Sequence, residues 1–237
     1  KANDWYHVQG GDGMQCFFHP TDDSKVYVSS QYGSLYRSDN FGNDFDWAAV
    51  GIDDDGAWTT PWELDQNNPS VMYAGYQNVW KSTNGGQGWT QETSDINSTL
   101  RFIEISPVNS NRVYAGTYTQ IYTSANGGNT WSELNTTPLP NIGISWIAAS
   151  EFNDATLYAC LSGTSNERKV YRTTDNGENW ENISGNLPNV PFNTIVEDPN
   201  LEGSLYAGSD LGVYTKHPDL ANWQIFDSGL PMTIINE

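Results

Sequence analysis

The sequence predicts an all-β chain, a β-propeller of four-stranded antiparallel blades, and three observations predict it. A short strand centred on an aromatic recurs at Tyr27, Tyr73, Tyr114, Tyr158 and Tyr206, in steps of 46, 41, 44 and 48 residues. A second strand follows each, centred on Tyr36, Trp80, Tyr122, Tyr171 and Tyr214, and nine residues further on stands Phe45, Trp89, Trp131, Trp180 or Trp223. The composition agrees: 10 Trp, 13 Tyr and 22 Gly among 237 residues, with 16% charged, favour short strands and tight turns over long amphipathic helices.

Each repeat supplies four strand candidates, as LRFIEIS, RVYAGTY, QIYTSA and TWSELN do in the third copy. The repeats run approximately over residues 9–48, 57–92, 100–134, 144–183 and 191–226 of a single domain, 1–237. A four-stranded unit recurring at this period reads as a propeller blade, because radial stacking buries both of its faces. No helix-period pattern of useful length interrupts it. Residues 4–8 (DWYHV) read as the last strand of a preceding blade and residues 233–236 as the first of a following one. The five full repeats are therefore expected to form an arc of a ring of six or more blades in a longer protein.

Between the second strand and the large aromatic lie S-T-N-G-G-Q-G-W (82–89), S-A-N-G-G-N-T-W (124–131) and T-T-D-N-G-E-N-W (173–180). The copies are Ser82, Asn84, Gly86 and Trp89; Ser124, Asn126, Gly128 and Trp131; Thr173, Asp175, Gly177 and Trp180. Ser38, Asn40, Gly42 and Phe45 make a fourth, and Lys216, Pro218, Leu220 and Trp223 an eroded fifth whose polar box is expected to be lost. The pattern resembles the Asp-box, or bacterial neuraminidase repeat. Its physics is that of a hairpin turn: hydroxyl and carboxylate or amide oxygens bond backbone inside the turn, and glycine takes a positive φ. The Trp then packs between neighbouring elements, so the boxes are expected to be structural and their Trp residues largely buried.

The 29 acidic against 10 basic side chains give a formal charge of −19, which repels phosphate backbones and anionic membranes. Nucleic acid is thereby excluded as a direct partner; neutral sugars, proteins, and anionic polymers bridged by a divalent cation remain. No apolar run reaches 18 residues, so no membrane insertion is expected. Cys16 and Cys160 both fall in apolar strand patterns and are expected as buried thiols. The three histidines, His7, His19 and His217, are scattered over different repeats, and no Cys/His metal spacing occurs. No metal site and no cofactor is predicted, apart from a calcium ion that the run Asp53-Asp54-Asp55-Gly56 would hold through carboxylate oxygens, without EF-hand spacing.

A propeller presents ligands to the loops joining second to third strands and to the connections between blades. Here these are residues 30–34, 76–78, 117–120, 161–169 and 209–212, with connections including 10–13, 50–58, 92–99 and 135–144. Tyr32, Trp58, Tyr76, Tyr118 and Trp146 are the candidates for stacking on sugar rings, although core packing is the simpler account of any one of them. Asp12, Asp53, Asp54 and Asp55 are the carboxylates available for acid and base steps of glycoside cleavage.

Sialidases sharing the repeat clamp a carboxylate with three arginines, and the five here (Arg37, Arg101, Arg112, Arg168, Arg172) show no converging triad. The stretch from Gly10 to Arg37 resembles the opening of the xyloglucanase-type propellers, which implies a catalytic Asp where this chain has Gln31, and an amide is neither acid nor base. Sortilin-like receptors and photosystem assembly factors use related repeats for binding alone. The loops and the inter-blade phrases G-N-L-P and S-G-L-P resemble exported Gram-negative propeller proteins, of the kind sorted by type IX secretion. The leading expectation is a non-catalytic binding or scaffolding module of a secreted or cell-surface protein, with a carbohydrate or protein ligand. The alternative is part of a glycoside hydrolase or lyase whose catalytic residues lie partly outside the segment.

Overall fold

The computed structural model of the chain describes residues 7–164, 168–226, 229 and 233–235. Among these residues twenty strands form five four-stranded antiparallel sheets, each in plain meander order, and the all-β propeller-blade class is observed. The first blade comprises β1 (Gly13–Phe18), β2 (Val26–Ser30), β3 (Ser34–Ser38) and β4 (Asp46–Trp47). The second comprises β5 (Trp62–Leu64), β6 (Met72–Gly75), β7 (Val79–Ser82) and β8 (Thr90–Gln91). Next come β9 (Phe102–Ile105), β10 (Val113–Gly116), β11 (Ile121–Ser124) and β12 (Ser132–Glu133). The fourth holds β13 (Ile144–Ala149), β14 (Leu157–Leu161), β15 (Val170–Thr173) and β16 (Glu181–Asn182); the fifth holds β17 (Phe192–Glu197), β18 (Leu205–Ser209), β19 (Gly212–Lys216) and β20 (Gln224–Ile225). The fourth strand of every blade is two residues long, which leaves little edge for another chain to pair with. Residues 4–6, expected in a strand, lie outside the described residues, and 233–235 form no strand.

One register serves all five blades. The central Tyr stands opposite the residue that follows the third-strand aromatic: Tyr27 opposite Arg37, Tyr73 opposite Lys81, Tyr114 opposite Thr123, Tyr158 opposite Arg172, Tyr206 opposite Thr215. Second strands β6, β10 and β14 are buried along their whole length instead of alternating, because both faces of these blades are covered.

The chain divides into two compact units, residues 1–103 and 104–237. In the first, Tyr27, Leu35, Trp62, Leu64, Met72, Trp80 and Trp89 make one core, with Phe17 wedged 4.7 Å from Trp62 and 5.2 Å from Tyr27, ring centre to ring centre. In the second, Tyr158, Cys160, Val170, Leu187, Phe192, Ile195, Leu205 and Trp223 do the same between the fourth and fifth blades.

Among the described residues, first strands of adjacent blades do not pair with each other, and within each unit polar side chains tie them instead. Gln15 Oε1 accepts from the Trp62 amide, Glu104 Oε1 from the Ala149 amide, and Ser145 Oγ donates to the Phe192 carbonyl. Buried Glu197 accepts from the Ser150 hydroxyl, the Tyr158 hydroxyl, and the amides of Glu151 and Gly203. A buried carboxylate with this many donors is stabilised despite the loss of water.

The boxes form hairpin turns as their chemistry predicts. Ser38, Ser82, Ser124 and Thr173 each accept, through the hydroxyl oxygen, from the amide of the box glycine at 2.9–3.0 Å. Asn40, Asn84, Asn126 and Asp175 accept from the amide four residues on, at 2.9–3.0 Å. Indole nitrogens reach back to the preceding blade: Trp89 to the Ala48 carbonyl, Trp180 to that of Asn135, Trp223 to that of Ile183. Burial is uneven, however. Trp89 and Trp223 are buried and Trp131 and Trp180 half-buried, so the box indoles are covered to different degrees. Cys16 is exposed and Cys160 buried, both as free thiols, so only one fits the expected pattern.

Candidate functional site

The loop after β2 and the connection between the first two blades come together in the first unit. Residues 31–33 make a single tight turn in which Tyr32 takes a left-handed backbone conformation, φ 60° and ψ 34°. Such a position is costly for a bulky aromatic, and it holds the ring outward. Tyr32 is 62% exposed and Trp58 53%, with their rings edge to face at 5.2 Å and 89°. The Tyr32 amide donates to the Trp58 carbonyl at 3.3 Å, which joins the two loops.

Three other residues fix this pair. Gly56 lets the connection cross over the turn: a Cβ there would fall 2.8 Å from the Tyr32 carbonyl carbon and 2.9 Å from the Gly33 nitrogen. Asp54 Oδ2 accepts from the Asn78 amide (2.9 Å), Asn78 Nδ2 (3.2 Å) and Trp80 Nε1 (3.0 Å), clamping the connection to the second blade. Tyr76 donates its hydroxyl to the Gly33 carbonyl at 2.6 Å and supports the turn from beneath.

Tyr76 is therefore no stacking platform. It is 2% exposed, and burial pushes its phenol well above the ordinary range. Trp146 is half-buried and packs on the core of the fourth and fifth blades, so it too leaves the list of exposed platforms. Tyr118, in the second unit, is 49% exposed beside a groove. Of the acidic candidates, Asp54 is occupied structurally, while Asp12, Asp53 and Asp55 are exposed. The Asp12 amide donates to Gln31 Oε1 at 3.0 Å, which brings loop 10–13 onto the Tyr32 turn. Among the described residues no three His, Cys, Asp or Glu side chains are grouped to hold a metal ion.

Two of the arginines are held locally, Arg37 by Asp39 and the Gly85 carbonyl, Arg172 by Glu181. Neither is offered to a ligand carboxylate. What residue-type reasoning could not separate was the three aspartates of one run, or the loop tyrosines at one topological position. Only the chain crossings at Gly33 and Gly56 do that.

Five meander blades, four hairpin boxes and indoles stapled to the preceding blade define a β-propeller of the Asp-box type. The family model for Sortilin-Vps10 (sortilin, neurotensin receptor 3) matches residues 77–210, more than half of the chain, and the chain belongs to that family. The oligoxyloglucan-reducing end-specific xyloglucanase of Emericella nidulans is 24% identical over 193 residues, 70% of this chain and 23% of that protein. An ancestral GH74 enzyme of known structure superposes with a TM-score of 0.74 at 21% identity, over 95% of this chain and 32% of its own. The GH74 enzyme of Niastella koreensis does so at 0.69 and 21%, over 90% of this chain and 38% of its own. The chain thus spans well under half the length of each of these relatives, and the structural likenesses establish the fold. Among the described residues no helix is long and apolar enough to cross a membrane.

Proposed function

We propose that the chain is a non-catalytic binding module of a secreted or cell-surface protein, and that a neutral polysaccharide is its ligand. The observation that carries this reading is the Tyr32–Trp58 pair: two exposed rings, held by a backbone hydrogen bond, on a turn strained to keep one of them outward. Flat aromatic faces fixed in advance stack on sugar rings with little loss of side-chain freedom. The charge of −19 favours an uncharged polymer over an anionic one. On this reading the module works outside the cell, beside further blades or domains of a longer chain. No cofactor enters this reading.

The xyloglucanase relatives favour a second reading, in which the chain is part of a glycoside hydrolase and exposed Asp12, beside Gln31, contributes an acid. Incubating the protein with neutral and anionic polysaccharides, xyloglucan among them, separates the two when both retention and release of reducing ends are scored. Retention without cleavage, weakened about tenfold by Trp58→Ala, is the expected result. Cleavage abolished by Asp12→Asn establishes the hydrolase reading instead.

A further inference from the structure

The second unit holds a groove of its own, about 390 Å³ in volume, between the β10–β11 loop and the connection leading to β13. Its size is that of a small-ligand site. The wall is made by Tyr118, Thr119 and Gln120 on one side and by residues 136–137, 139–141 and 143–144 on the other, and it carries no charged side chain.

The chemistry of this wall is specific. Tyr118 is half-exposed but not loose: its hydroxyl donates to the Ile142 carbonyl at 3.3 Å and lies 3.3 Å from Ser162 Oγ. Its ring lies so close to Gly143 that a Cβ there would fall 2.1 Å from Tyr118 Cζ. Gly143, at φ 90°, is thus required both by its backbone and by the ring it supports. Beside the ring, Thr119, Thr137 and Asn141 present exposed hydroxyls and an amide, while Thr136 Oγ1 donates to Gln120 Oε1 at 3.1 Å and orients that amide. Loop amides Thr119 and Gln120 are already satisfied by Thr117 Oγ1, so the backbone offers no edge for a peptide to extend.

We infer that this groove is a second binding site, for one or two residues of a neutral saccharide, stacked on Tyr118 and hydrogen-bonded by Thr119, Thr137 and Asn141. A rigid aromatic ring flanked by uncharged donors and acceptors is what a hydroxyl-rich, uncharged ring requires, and an acidic protein gives an anionic sugar no counter-charge here. The inference shares the ligand class of the Tyr32–Trp58 reading, yet rests on different residues in a different unit.

The test is nuclear magnetic resonance titration of the isotope-labelled chain with a xyloglucan heptasaccharide, against a galacturonate oligomer as the anionic arm. The expected result is saturable shifts of the amides of residues 117–120 and 136–143 with the neutral probe alone. Tyr118→Ala and Asn141→Ala should each weaken them, Tyr118→Ala about tenfold, while Trp58→Ala leaves them intact. Asn141 is exposed, so its variant tests the site at the surface without removing a side chain from the core. Shifts confined to residues around Tyr32 and Trp58 overturn this inference and leave the first reading standing. Shifts in the groove that survive Trp58→Ala, with none near Tyr32, overturn the first reading and keep this one. A preference for the galacturonate, or no saturable shift with either probe, overturns the groove as a neutral-sugar site.

Discussion

Phe41 sits at φ 62°, at the box position that Gly85 (66°), Gly127 (66°) and Asn176 (56°) occupy in the other blades. In all four the amide of that residue closes onto the preceding hairpin, to the carbonyls of Ser24, Ser70, Asn111 and Ala155. The left-handed backbone is therefore imposed by the turn, and a non-glycine residue there costs about 1–2 kcal/mol. The Phe41 ring is 70% exposed and gains little by burial. Phe41→Gly should accordingly stabilise the protein by about 1 kcal/mol, read as a higher melting temperature; a drop would mean that the ring packs in solution. Asp54 makes the opposite case. Removing its carboxylate in Asp54→Ala leaves the Asn78 amide and the Trp80 indole without their acceptor, which should cost about 3 kcal/mol in urea unfolding. Chelation with EDTA should leave the melting temperature unchanged, because Asp54 Oδ2 is engaged by three protein donors rather than offered to calcium. The sequence could not rank Asp53, Asp54 and Asp55, since each has the same side chain in the same turn. Only the path of the connection decides which one meets Trp80.

At the scale of the element, the hairpin boxes were legible because everything that forms them is local: hydroxyl, amide and glycine within five residues. The fifth box shows how far that locality reaches. Its polar residues are gone, yet Trp223 is 3% exposed and still donates to the Ile183 carbonyl. The turn is closed instead by Lys216 Nζ on the Leu220 and Ala221 carbonyls and by His217 Nδ1 accepting from the Asp219 amide. The indole staple is thus separable from the turn that carries it. Tyr32, Tyr76 and Tyr118 were less legible, since all three occupy equivalent loops. Tyr76 is buried because its ring packs on Gly33 and the following connection bonds back, Leu100 amide to Tyr76 carbonyl. The staples themselves differ in weight. Trp89→Ala removes a side chain from the core of the first two blades and should cost about 3–5 kcal/mol, measured by chemical denaturation. Trp131→Ala should cost clearly less, because that ring is half-buried. Equal losses would refute the difference in packing drawn between them.

Over the whole molecule the repeat fixes a periodic frame, and the ties between first strands are what the period does not specify. Glu104 is the tie with a measurable signature. Burial pushes its carboxyl up to about 8, against the pull of the hydrogen bond from the Ala149 amide, and the nearby Glu151 charge adds to the rise. In the unfolded chain a glutamate ionises near its ordinary value of about 4.3. The folded state therefore holds the proton more tightly, so this contribution to stability is complete below about pH 4.3 and is lost as pH rises through about 8. Glu151, raised in the same direction by burial and by Glu197, adds to the same trend. The salt-bridged Asp22 works with the opposite sign, its carboxyl lowered to about 2 by Lys25 and then Ser24, so its contribution disappears only as pH falls through about 2, outside this window. Melting temperature should thus decline between pH 5 and pH 9. Glu104→Gln keeps an oxygen for the Ala149 amide but cannot ionise, so it should come closest to the parent at pH 5, exceed it at pH 9 and flatten the slope. Parallel pH profiles for the two proteins would show that Glu104 does not titrate in this range.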